Sequence, residues 1–150
     1  MPHLEFELES SATPAAIIAG LTNFTDRRPE IWPGLDAKQY KVLMVGDTWA
    51  DVREGSASSV WARERYDWST PGRVRWTVQD SSFSTAGDFV EAVVTPRGTG
   101  STVHMTWSRR GKSAFAKLMV ALIVLTRGYL VRRSFAAGLR QIEAGSAVGR

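Results

Sequence analysis

The chain has 150 residues, enough for one domain to bury a sizeable core without covalent staples, and a single domain over residues 1–150 is expected. It has no cysteine, which excludes disulfides, thiolate metal sites and thiol nucleophiles together. Lys and Arg number 19 against 15 Asp and Glu, a formal net charge of +4 that permits contact with nucleic acid or anionic lipid without requiring it.

Residues 1–10 lack the basic segment, apolar core and cleavage site of a secretory signal, because Glu5, Glu7 and Glu9 interrupt every apolar pair, and a cytoplasmic location is expected. The same alternation, with Leu4, Phe6 and Leu8 on the opposite side, is that of a half-buried strand. Thr13-Pro14 then supplies a cap and a first-turn proline to a helix over 15–24, with Ile17, Ile18, Leu21 and Phe24 at helical spacing. A second cap-like pair, Thr25-Asp26, opens a short helix that Pro29 and the Trp32-Pro33-Gly34 turn end.

From Gln39 to Arg110 no helical period appears. Strands are expected over 40–45, 48–54, 59–68, 73–80, 88–95 and 102–109, joined at Gly46-Asp47, Gly55, Pro71-Gly72, Gly87 and the turn from Pro96 to Gly100. Consecutive strands with such short connections predict an antiparallel meander. One long helix follows over 113–144, capped by Ser113 and ended by Gly145. Its inward face is expected to carry Leu118, Leu122, Leu125, Tyr129, Ala136, Leu139 and Ile142, although the first half is apolar nearly all round. The longest apolar run, 118–125, is well short of the ~18 residues of a membrane span.

Strand, two short helices, meander and long C-terminal helix are the order of elements in the helix-grip fold. The run Phe6-Glu7-Leu8 through Ala12-Thr13-Pro14-Ala15, and Val60-Trp61-Ala62-Arg63-Glu64-Arg65-Tyr66-Asp67-Trp68 with its Ser69-Thr70-Pro71-Gly72 turn, resemble the START-like or Bet v 1-like (SRPBCC) superfamily, within it the polyketide cyclase/dehydrase and lipid transport group. The resemblance implies an α+β fold in which a curved antiparallel sheet of six to seven strands wraps around the C-terminal helix. It also implies a cavity between them for a lipid, sterol, polyketide or other apolar ligand.

Strand alternation nominates residues for that cavity. Glu64 and Tyr66 share the face of Val60, Ala62 and Trp68; Trp76 and Asp80 share that of Val74 and Val78; Met105 and Trp107 share that of Val103. Leu122, Leu125 and Tyr129 face them from the helix. Glu64 is the leading polar candidate, since a carboxylate among apolar neighbours has a raised pKa unless a cation or hydroxyl partners it; a place near a strand end, or pairing with an arginine for structure alone, is the competing account. Trp76 serves equally as ordinary core, and Tyr129 as a core tyrosine bonded to backbone. His104 falls on the solvent side by the same count.

No phosphate-binding glycine loop, dinucleotide fingerprint, zinc-protease motif or nucleophile elbow occurs, so neither cofactor nor metal is expected. Three readings follow. The first is a binder or carrier of a small hydrophobic molecule. The second is a cyclase/dehydratase-type enzyme moving protons with Glu64, Tyr66, Asp80 or His104. The third is a protein-interaction module using the apolar start of the long helix or the arginine-rich surface. Dispersed basic residues disfavour nucleic acid. Arg109, Arg110, Lys112 and Lys117 cluster before the last helix, as lipid-headgroup contacts or as a solvated loop. The residues leave open the ligand, any reaction and the oligomeric state.

Overall fold

A computed structural model describes residues 3–148 of the chain. β1 (His3–Ser10) buries Phe6, half-buries Leu4 and Leu8, and leaves Glu5, Glu7 and Glu9 exposed, so its alternation becomes two sheet faces. α1 (Pro14–Leu21) starts where Thr13 accepts a hydrogen bond from the amide of Ala16 at 3.2 Å. It ends before Phe24, where the Thr22 hydroxyl donates to the Ile18 carbonyl at 2.7 Å. α2 (Arg28–Ile31) begins later than Thr25, because the Asn23 side-chain Oδ1 accepts from both the amide and the hydroxyl of Thr25 and makes a turn there.

After a 3-10 turn at Ala37–Gln39 come β2 (Lys41–Val45), β3 (Trp49–Ala57), β4 (Val60–Asp67), β5 (Arg73–Ser81), β6 (Phe89–Arg97) and β7 (Gly100–Ser108). The seven strands form one antiparallel sheet in the order β1-β7-β6-β5-β4-β3-β2, with β1 recruited to the far side of β7. Gly55, expected in a turn, lies inside β3 beside a register shift between Gly55 and Ala57. A second irregularity has a larger effect. Arg63 pairs with Asp80 and Glu64 with Val78, so Gln79 is an extra residue that reverses the alternation of β5. Asp80 therefore points outward, exposed, and Ser81 is buried in its stead.

The expected single helix over 113–144 is two. Ser113 caps α3 (Ala114–Leu125), accepting from the Ala116 amide at 3.1 Å, and α4 (Tyr129–Val148) leaves it at a bend of 73°. A Schellman turn makes the break: Arg127 N–H donates to the Val124 carbonyl at 3.0 Å and Gly128 N–H to the Ile123 carbonyl at 2.8 Å. Arg127 and Gly128 both take left-handed φ values, 56° and 69°. Gly128 has a further reason to lack a side chain, since a Cβ would stand 2.1 Å from the Leu4 Cδ2 methyl. Gly145 lies within α4 and does not end it.

The core sits between the inner sheet face and α1 with α4, where Ile17, Val74, Val103 and Leu139 are buried. The break redirects the expected inward face. Leu118, Leu122, Leu125 and Tyr129 are 56%, 46%, 78% and 60% exposed, and α3 instead buries Ala116 and Val120. A helix that is apolar all round has no polar side to mark which face meets water, so spacing alone could not choose. Among the described residues no single helix is long and apolar enough to cross a membrane.

Candidate functional site

Two buried arginine–carboxylate pairs stand on the inner sheet face. Arg28 of α2, 3% exposed, donates from Nε to Glu54 of β3 at 2.9 Å, from Nη1 to the carbonyls of Leu21 and Asn23 at 2.9 and 3.0 Å, and from Nη2 to the Tyr66 hydroxyl at 3.1 Å. Tyr66 in turn donates to Glu54 through a very short hydrogen bond. Burial works to lower the Arg28 pKa, but Glu54 and then Tyr66 outweigh it and hold it above the ordinary arginine value. Burial, reinforced by Glu54, pushes the Tyr66 phenol well above its usual range, so it remains a donor. This network fastens α2 to the sheet, and it already engages the hydroxyl of Tyr66.

The second pair is more open to chemistry. Glu64 of β4 is 5% exposed and receives Arg109 Nη2 at 3.3 Å, while Arg109 Nη1 reaches the Ser84 hydroxyl at 3.2 Å. Burial raises the Glu64 pKa to about 6; Arg109 counteracts that only in part, and Glu54 adds to the rise. Glu64 is thus a carboxylic acid poised to exchange a proton near neutrality.

The Glu64–Arg109 pair, with Glu54 and Tyr66 of the first network, borders a cavity of about 460 Å³, within the range of small-molecule sites. Its floor is the inner face of the sheet, where Trp76 stacks on Tyr66 at 5.2 Å; Phe24, outside the lining, meets Tyr66 edge-on at 5.0 Å. Leu130, Val131, Ser134 and Phe135 of α4 form the opposite wall, and Trp32 closes one side. Trp32 is held by its indole N–H donating to the Gly20 carbonyl at 3.1 Å and by contact with Phe135 at 5.1 Å. It also fits against α4 only because position 138 is glycine: a Cβ there would fall 2.0 Å from the Trp32 ring.

Of the residues nominated from sequence, Glu64, Tyr66, Trp76, Met105 and Trp107 line this cavity. Asp80 does not, because of the Gln79 bulge, and its carboxylate instead accepts from the Ser81 amide at 2.9 Å. Leu122, Leu125 and Tyr129 do not, because the 73° break carries α3 away from the sheet. His104 faces outward, 3.2 Å from Glu5 and 3.4 Å from Glu7, and those carboxylates, Glu5 first, raise its pKa against the opposing effect of burial. The basic cluster disperses: Arg109 enters the cavity, Arg110 pairs with buried Asp88 at 3.0 Å, and Lys112 donates to the Ser81 carbonyl at 2.8 Å. Sequence reasoning missed Glu54, Arg28 and Ser84. Glu54 shares the β3 face of Ala50 and Val52, a signal the alternation did contain. Among the described residues no group of three or more His, Asp or Glu side chains is placed to hold a metal ion.

No family model and no curated protein matches this sequence. Solved structures match it along nearly its whole length. A protein of Thermus thermophilus superposes with a TM-score of 0.78 at 15% identity, covering 97% of this chain and 99% of its own. An aromatase/cyclase from Streptomyces sp. R1128 gives 0.74 at 13% identity, covering 97% and 93%. Norcoclaurine synthase from Thalictrum flavum, in complex with dopamine and hydroxybenzaldehyde, gives 0.70 at 15% identity, covering 99% and 87%. A START superfamily protein from Mycobacterium smegmatis gives 0.70 at 12% identity, covering 93% and 98%. With its seven-stranded antiparallel sheet, short helices after β1 and C-terminal helical segment, the chain has the helix-grip fold of START-like and Bet v 1-like proteins.

Proposed function

We propose that the protein binds a small, largely apolar molecule in the cavity between the sheet and α4, and orients one polar group of it on Glu64 and Arg109. The observation that carries this reading is the composition of the lining: aromatic and aliphatic side chains cover most of about 460 Å³, with a buried acid and an arginine at one edge. Apolar walls supply affinity by removing ligand surface from water, while the acid–arginine pair offers both a donor and an acceptor to a hydroxyl or carbonyl. Native mass spectrometry of the purified protein, then solvent extraction, tests the reading. A stoichiometric adduct that weakens in Trp76→Ala supports it. A clean mass, unchanged after incubation with a broad lipid and polyketide extract, would sink it.

One observation favours a catalytic version. The Glu64 pKa of about 6 suits proton transfer at neutral pH, as cyclisation or dehydration of a reactive chain requires. If a recovered compound is turned over, the rate should follow a pKa near 6 and fall at least about a hundredfold in Glu64→Gln. Turnover that survives the substitution would leave binding alone.

A further inference from the structure

We propose that α3 docks on the surface of a lipid bilayer carrying anionic headgroups. Its 12 residues are Ala-Phe-Ala-Lys-Leu-Met-Val-Ala-Leu-Ile-Val-Leu, yet Ala116 and Val120 alone among them are buried. Phe115, Leu118, Leu122 and Leu125, 69%, 56%, 46% and 78% exposed, recur at i, i+3, i+7 and i+10 and so form one stripe on the side away from Ala116 and Val120. Tyr129 and Leu130, 60% and 67% exposed, extend it around the elbow. An apolar face of this size left in water marks a surface that something covers.

Charge decides what covers it. From Ser113 to Ile142 the chain has five basic residues, Lys117, Arg127, Arg132, Arg133 and Arg140, and no acidic one. Lys117 within α3, Arg127 in the elbow and Arg133 one turn after Tyr129 are all exposed. A second copy seated on this face would bring like charges together with no carboxylate from either α3 or the elbow to neutralise them. An anionic bilayer meets both requirements, taking the apolar stripe into its acyl boundary and placing headgroups around the cations. The helix is about 18 Å long, well short of the ~30 Å hydrocarbon core, so it lies in the interface and does not span. Leu130 is also part of the cavity wall, which puts the docked face next to the cavity, although the docking stands apart from what the cavity binds.

The test is cosedimentation of the full chain with vesicles of phosphatidylcholine alone or mixed with phosphatidylglycerol, at low and high salt. The expected result is binding to the mixed vesicles that weakens as salt rises. It should fall at least about tenfold when Leu118→Ser, Leu122→Ser and Leu125→Ser are combined, since each leucine contributes by burial. Lys117→Gln with Arg133→Gln should lower the binding and flatten its salt dependence. These side chains are exposed, so circular dichroism and melting should match the parent protein. Absence of binding to mixed vesicles, or equal binding by the leucine variant, overturns the proposal. So does a dimer in analytical ultracentrifugation that the leucine variant converts to monomer, which would assign the face to a second copy.

Discussion

Replacing Glu64 by glutamine should remove a defined pH dependence from the stability of the protein. The acid titrates at about 6 in the folded chain against 4.5 for the unperturbed group, a difference of 6 minus 4.5, or 1.5 units. At 1.36 kcal/mol per unit this is about 2 kcal/mol. Because the folded pKa is the higher one, the folded protein retains a proton between pH 4.5 and 6 that the unfolded chain has released, so stability falls as pH rises through that window. Below it the penalty is absent, and above it the penalty is complete. Glutamine keeps the shape of the side chain and cannot ionise. Urea unfolding of both proteins at about pH 4.5 and pH 7 isolates the effect, since titrating groups not coupled to Glu64 contribute equally to each protein. The acid is already half ionised in the unfolded chain at pH 4.5, so the parent should lose about 1.6 kcal/mol more than Glu64→Gln over that interval, which at an m-value of about 2 kcal/mol/M is a difference of about 0.8 M in midpoint. Parallel midpoint shifts in the two proteins would show that Glu64 ionises as it does in water, and the buried-acid account of the cavity would fail.

Two further substitutions test how the cavity is held. Arg28→Met should cost about 3–5 kcal/mol, because it leaves Glu54 and Tyr66 buried without their cation; adding Glu54→Gln should recover part of it, and thermal melts of the single and double variants read both. Gly138→Ala sets a helix-propensity gain of about 1 kcal/mol against an overpacking cost of about 1–3 kcal/mol from a methyl 2.0 Å from the Trp32 ring. A lower melting temperature by a few degrees, with altered near-UV circular dichroism from the displaced indole, is the expected outcome; unchanged spectra would mean that Trp32 does not close the cavity as described.

Much of the fold follows from local patterns. The alternation in His3–Ser10 and Val60–Asp67 placed Phe6, Glu64 and Tyr66 on the buried side, and Thr13 and Ser113 marked their helix starts, because strand alternation and helix capping act over a few residues. The site was legible only in part. Five nominated residues line the cavity, yet their partners could not be read, since Arg28 meets Glu54 across 26 residues and Arg109 meets Glu64 across 45. Such pairs are set by sheet register and by the path of the chain between strands.

What the sequence by itself determined is therefore the order of strands and helices, the caps that start α1 and α3 and, where alternation is unbroken, which side of a strand is buried. The tertiary structure decided the rest at a few points where local pattern carries no sign. One extra residue, Gln79, turns Asp80 outward, and pairing across β4 and β5 is what accommodates it. The left-handed pair Arg127-Gly128 breaks the last helix and sends Leu122, Leu125 and Tyr129 to the surface. A helix apolar on every side fits either orientation equally well, so packing of Leu139 and Ile142 in α4 on the core, and not the spacing of leucines in α3, chose which face meets water.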